Sequence, residues 1–118
     1  MAVNLREQGN KGEDLAVEYL MKKGYRILQR NYRFERGEID IIAEDLDALV
    51  FIEVKSRSSH SFGEPHEAVT VHKREQIRKI AAGYLFTESI DERECRFDII
   101  AIQHTGSTVD IQHFENAF

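Results

Sequence analysis

The chain has 118 residues, 42% of them hydrophobic and 31% charged, with one cysteine and one proline. That suffices for one core over residues 1–118, since domains usually hold ~100–150 residues. A lone Cys95 excludes an intramolecular disulfide, and no apolar run longer than Ala48–Ile52 is available to cross a membrane.

Met1–Leu15 mixes charges throughout and has no stretch like a signal peptide, so the expected location is cytoplasmic, with no membrane partner. The net charge of −5 argues against non-specific nucleic-acid binding, but its distribution says more. Residues 1–37 sum to +3, 38–54 to −6, 55–82 to +3 and 83–118 to −5. A compact acidic block between two basic segments suits a cation site beside a polyanion groove.

Leu15, Ala16, Tyr19 and Leu20 share one face of a helix expected over Asn10–Lys23, and Gly24 stands where a left-handed cap belongs. Tyr25–Tyr32 reads as a strand. Glu38–Glu44 and Leu49–Ser56 are clearer strands, rich in Ile, Val and Phe. The short link between them suits a hairpin and is too short for a crossover. Arg57–Ala68 holds the single proline, three serines and Gly63, and reads as a loop.

Beyond it, Ile77, Ile80, Ala81, Tyr84 and Leu85 follow helical spacing, with Thr70 as the N-cap. Lys73, Arg74, Arg78 and Lys79 fall on the polar side, where they suit phosphate contacts or plain solvation. Cys95–Gln103 and Val109–Phe114 complete the chain as strands. The expected fold is α/β: a mixed sheet flanked by helices, in the order α-β-β-β-α-β-β.

The hairpin concentrates the chemistry. With Leu46 and Asp47 at its centre, Asp40 faces Glu53, Glu38 faces Lys55 and Ile42 faces Phe51. Three acids and an ammonium then share one patch. Opposed carboxylates repel without a cation, and oxygen-only ligation suits Mg²⁺ or Mn²⁺ better than zinc. The competing reading is a charge ladder on a solvated sheet face.

Gly37-Glu38-Ile39-Asp40 followed by Phe51-Ile52-Glu53-Val54-Lys55 resembles the split PD-(D/E)xK signature of restriction-endonuclease-like nucleases. Nearly the whole chain is similar to the YraN-like bacterial proteins, through Gly9, Gly12-Glu13, Ala16, Tyr19-Leu20, Gly24-Tyr25, Asn31-Tyr32-Arg33, Arg57 and Lys73. Asp-Ile-Ile-Ala and Glu-Val-Lys-Ser-Arg are similar to strings in archaeal Holliday-junction resolvases.

The resemblance implies an αβββαβ core and phosphodiester hydrolysis on nucleic acid, DNA rather than RNA, in branched or structured form. It also implies a homodimer. Asp40, Glu53 and the Val54 carbonyl would hold Mg or Mn, Lys55 would act on the water or the phosphorane, and Glu13 would reach the metal. Arg57, Lys73, Arg74 and Arg78 would contact nucleic acid. Two departures stand out: Ile39 replaces the proline of the motif, and Gln76 and Tyr84 are too far apart for a Gln-x-x-x-Tyr helix.

Other candidates are weaker. His60, His66 and His72 match no zinc spacing and are expected in solvent. Cys95 has no histidine placed to activate it and reads as a partly buried strand thiol. Gly9-x-x-Gly12 reads as a feature of the helix start, and Glu13 without a functional role would be a favourable first-turn acid. The string Asp-Ile-Ile-Ala occurs twice, at Asp40–Ala43 and Asp98–Ala101. Only the first has a Glu-x-Lys strand attached, so Asp98 is expected to pair with a nearby Arg or cap a strand end. The function expected is a metal-dependent endonuclease. The alternatives are a nucleic-acid-binding module that keeps the fold without cutting, or an interaction domain.

Overall fold

The computed structural model describes residues 5–58 and 69–118, with side chains at 11–57 and 69–118. Among the described residues two helices and five strands follow in order: α1 Leu5–Lys22, β1 Arg26–Phe34, β2 Gly37–Asp45, β3 Ala48–Ser58, α2 Val71–Thr87, β4 Cys95–Thr105 and β5 Thr108–Phe114. The strands lie side by side in chain order. Hairpins make every pairing antiparallel except β3 with β4, which is parallel because α2 carries the chain back across the sheet. The expected element order holds.

Alternation along the central strands fills two layers. Ile41, Ala43, Val50, Ile52, Ile100 and Ile102 pack with Ala16 and Leu20 of α1. Ile42, Leu49, Phe51 and Ile99 pack with Ile77, Ile80, Ala81 and Tyr84 of α2. Burying an aliphatic side chain of this size stabilises by ~1.5–3 kcal/mol, so both helices are held chiefly by these layers. No described helix is long and apolar enough to cross a membrane.

Several local expectations are met. Thr70 caps α2, its side chain accepting a 3.2 Å bond from the Lys73 N–H. Gly24 takes φ +94°, ending α1 in the left-handed region that favours glycine. Leu46 and Asp47 form the two-residue turn, closed by the pair Asp45–Ala48.

Other expectations need correction. Helix α1 begins at Leu5, so Gly12 and Glu13 lie in its middle and not at its start. A Cβ on Gly12 would meet Ser56 Cβ at 3.3 Å; the glycine lets α1 approach β3 closely. Arg57, expected in the loop, belongs to β3. His60 and His66 lie outside the described residues.

Candidate functional site

The β2–β3 ladder keeps the expected register from Asp45–Ala48 to its last pair, Ile41–Ile52. One step further, Asp40 and Glu53 do not continue the pairing. Instead the Val54 N–H donates to Asp40 Oδ2 at 2.8 Å. A side chain thus replaces a backbone carbonyl where the strands part, which fixes the carboxylate between β2 and β3.

The strand is irregular at this point. Ile39 packs in the α2 layer and Ile41 in the α1 layer, although residues two apart on a regular strand share a face. Opposite Asp40 on β1, between the pairs Tyr32–Ile39 and Arg30–Ile41, Asn31 has φ +53°. Asparagine tolerates that region better than most residues. The kink lets two consecutive side chains reach the same partner: Arg30 Nε and Asn31 Nδ2 both donate to Glu13 Oε1 at 2.9 Å. Glu13 is only 6% exposed, so these bonds hold a buried charge in place. Arg30 also pairs with Asp14.

Glu53 is equally buried and faces two ammonium groups, Lys73 Nζ at 3.3 Å and Lys55 Nζ at 3.5 Å. Lys73 comes from the first turn of α2, so the helix that closes the second layer also delivers a cation to β3. The expected Glu38–Lys55 opposition is not found. Glu38 pairs with Arg33 across β1 at 3.2 Å, because the β2–β3 ladder has ended and the β1–β2 ladder has not.

Asp40 carries the strongest electrostatic signature among these groups. Burial, then repulsion from Glu53, raises its carboxyl to about 7, with Glu13 and Glu38 adding to the rise and the Val54 bond opposing it. Its proton is therefore held far more tightly than that of an exposed carboxyl. The second Asp-Ile-Ile-Ala string behaves differently, as the sequence suggested. Asp98 is fully buried and accepts from Arg96 Nε at 3.0 Å, from the Asn116 N–H at 3.1 Å, and contacts His113 Nε2 at 2.7 Å. Burial pushes its pKa up, but the bonds from His113, Arg96 and Asn116 bring it below the ordinary value.

The four α2 cations do not form one patch. Lys73 turns to Glu53, while Arg78 lies 5.6 Å from the Phe97 ring centroid and 5.9 Å from that of Phe118. Arg74 lies 5.9 Å from the Phe118 centroid and donates to the Val69 carbonyl. Lys79 faces a cavity beside the β1–β2 turn. Arg57 is half-buried on β3. His72 is exposed, Cys95 is a half-buried thiol at the start of β4, and Tyr84 is a core residue edge-on to Tyr32 and Phe51.

Arg30 and Asn31 as partners of Glu13 are not foreshadowed by any local motif. The only advance signal was Asn31 itself, a residue suited to positive φ within a strand.

Among the described residues no three His, Cys, Asp or Glu side chains form a ready metal-binding group. The donors that suit a divalent cation are two carboxylates, Asp40 and Glu53, beside the Val54 backbone. Their mutual repulsion, written into the raised Asp40 pKa, is what a cation would relieve. The donor chemistry fits a hard cation with water completing its shell.

The family described as "Uncharacterised protein family UPF0102" matches residues 12–102. A UPF0102 protein of Chlorobium phaeobacteroides is 49% identical over 116 residues, covering 93% of this chain and 91% of the relative. One from Geobacter metallireducens is 44% identical over 118 residues, covering 100% and 97%, and one from Moorella thermoacetica is 47% identical over 102 residues, covering 86% and 85%. The matched segment contains Glu13, Asp40, Glu53, Lys55 and Lys73, so the site, all of α2 and α1 from Gly12 onward fall within the shared region. The chain belongs to the UPF0102 family, the YraN-like proteins.

Proposed function

We propose that this protein is a Mg- or Mn-dependent endonuclease of the restriction-endonuclease-like kind, acting on DNA and preferring branched or structured forms. The observation that carries the reading is Asp40, a half-buried carboxyl crowded by Glu53, Glu13 and Glu38 and raised to about 7 beside the only strand that offers Glu-x-Lys. Spacing supports it too: Asp40 and Glu53-Val54-Lys55 flank a two-residue turn, the split motif of these nucleases and of the resolvases.

Asp40, Glu53 and the Val54 carbonyl would hold the cation. When bound, it supplies charge neutralisation and Lewis acidity for attack of water on a phosphodiester. Lys55 orients that water or stabilises charge developing on the phosphate. Glu13, clamped by Arg30 and Asn31, presents a third carboxylate from α1. Cation binding must displace the proton from Asp40, so affinity should rise as pH approaches about 7.

A second reading draws on the ion pairs. Lys55 and Lys73 already neutralise Glu53 without a metal, which would suit a nucleic-acid-binding module that does not cut. A cleavage panel across single-stranded, duplex, flap and four-way-junction DNA and RNA, with Mg²⁺ and Mn²⁺, separates the two. Under the nuclease reading, Lys55→Ala lowers cleavage by ~10²–10⁴-fold while binding of the same substrate changes little. Wild type that binds but never cuts gives the case to the binding module.

A further inference from the structure

A cavity of about 720 Å³ lies between the β1–β2 turn and α2, within the ~300–1,000 Å³ range of small-molecule sites. Phe34 and Ile80 give it apolar wall, and Gln76 adds an amide with both donor and acceptor. Its formal charges balance, Arg36 and Lys79 against Glu35 and Glu75, and His72 adds an imidazole to the wall. A site built for bare phosphate would carry an excess of cations. This one offers an aromatic, an aliphatic and hydrogen-bonding groups of both kinds, the set that receives a nucleobase.

The cavity is built by close packing. A Cβ on Gly37 would come within 2.3 Å of Ile80 Cδ1, so the turn presses directly onto α2. It also adjoins the proposed active site. A second hollow lined by Arg33, Arg36 and Glu38 shares Glu35, Arg36 and Gly37 with the first, and Glu38 is one of the acids that act on Asp40. Gly37 and Asp40 are three residues apart on β2, about 10 Å, which one or two nucleotides can span.

We propose that this cavity receives an unstacked base of the substrate strand, one or two nucleotides from the phosphate at Asp40. The proposal rests on the nuclease reading for its strand path, but its chemistry can be measured without cutting. Adenosine 5′-monophosphate, adenosine and inorganic phosphate are titrated into the metal-free full chain, followed by backbone amide NMR.

The nucleotide and the nucleoside should saturate with similar affinity and shift the Gly37 and Lys79 amides, while phosphate alone does not. Two surface variants, Arg36→Ala with Lys79→Ala and separately Glu75→Ala, should each weaken the nucleotide by at least ~fivefold. Glu18→Gln, an exposed position on α1 away from the cavity, should leave it unchanged. No saturable shift at these amides up to ~10 mM, or phosphate binding as well as the nucleotide, overturns the proposal. A protein that binds the nucleotide here but cuts nothing loses the nuclease reading and keeps the base site; one that cuts but binds no nucleotide here does the reverse.

Discussion

Asp40 and Asp98 begin the same four-residue string on two strands of one sheet, yet their surroundings differ in sign. Two residues before Asp98 stands Arg96, whose guanidinium donates to the carboxylate; two residues before Asp40 stands Glu38, which repels it. His113 and the Asn116 N–H complete the partners of Asp98, whereas Asp40 receives one backbone N–H and faces three acids. One string serves stability and the other stores repulsion. Sequence identity over four residues says little about role; the neighbours across the sheet and two residues back decide it.

The largest expected difference concerns folding. Asp98→Asn leaves Arg96 and His113 around a fully buried site without their anion, and should lower stability by ~3–5 kcal/mol in urea denaturation. A loss below ~1 kcal/mol would mean that the network contributes little.

Asp40→Asn should act the other way. A carboxyl raised from 3.8 to about 7 on folding favours the folded state fully below 3.8, and that contribution is lost as pH rises to about 7. The metal-free wild type should therefore lose stability across this window relative to Asp40→Asn. At neutral pH the variant should be equal or up to ~1 kcal/mol more stable. Asp98, with its depressed pKa, gives the opposite dependence: its contribution is present above the ordinary carboxylate pKa and lost as pH falls through the depressed value. Denaturation curves from acid to neutral pH would contradict this account if Asp40→Asn destabilised the protein throughout.

The smallest effect tests the residue two back. Glu38→Arg gives Asp40 the kind of neighbour that Asp98 has. The Asp40 carboxyl should then titrate lower, read by carboxyl ¹³C NMR. Since Glu38 is the weakest of the three acids acting on it, the change should be smaller than that from Glu53→Gln. An unmoved titration would remove Glu38 from the electrostatics of the site.

Much of this arrangement was legible in the residues. Segments rich in Ile, Val and Phe marked β2 and β3, and the two-residue turn at Leu46–Asp47 fixed the register as far as Ile41–Ile52. The pairing of Asp98 with a nearby Arg followed from its lacking a Glu-x-Lys partner strand. What escaped the sequence depended on long-range geometry. The polar stretch ahead of Gly12 has no apolar period, which hid the first turns of α1 and placed Glu13 at the helix start when it lies mid-helix and buried. The clamp from Arg30 and Asn31 needs a positive φ within a strand, and the Lys73–Glu53 pair needs the placement of α2 on the sheet. The end of the β2–β3 ladder sent Glu38 to Arg33 and not to Lys55. No local pattern encodes any of these.

The central claim is that Asp40 is a cation ligand whose crowding serves phosphodiester cleavage. Calorimetric titration of Mn²⁺ into wild type and Asp40→Asn, followed by cleavage of a four-way junction by the same samples, tests it most directly. The account predicts saturable Mn²⁺ binding and cutting by wild type, and neither by a normally folded Asp40→Asn. Equal Mn²⁺ affinity in the two proteins, or undiminished cutting by the variant, would contradict it.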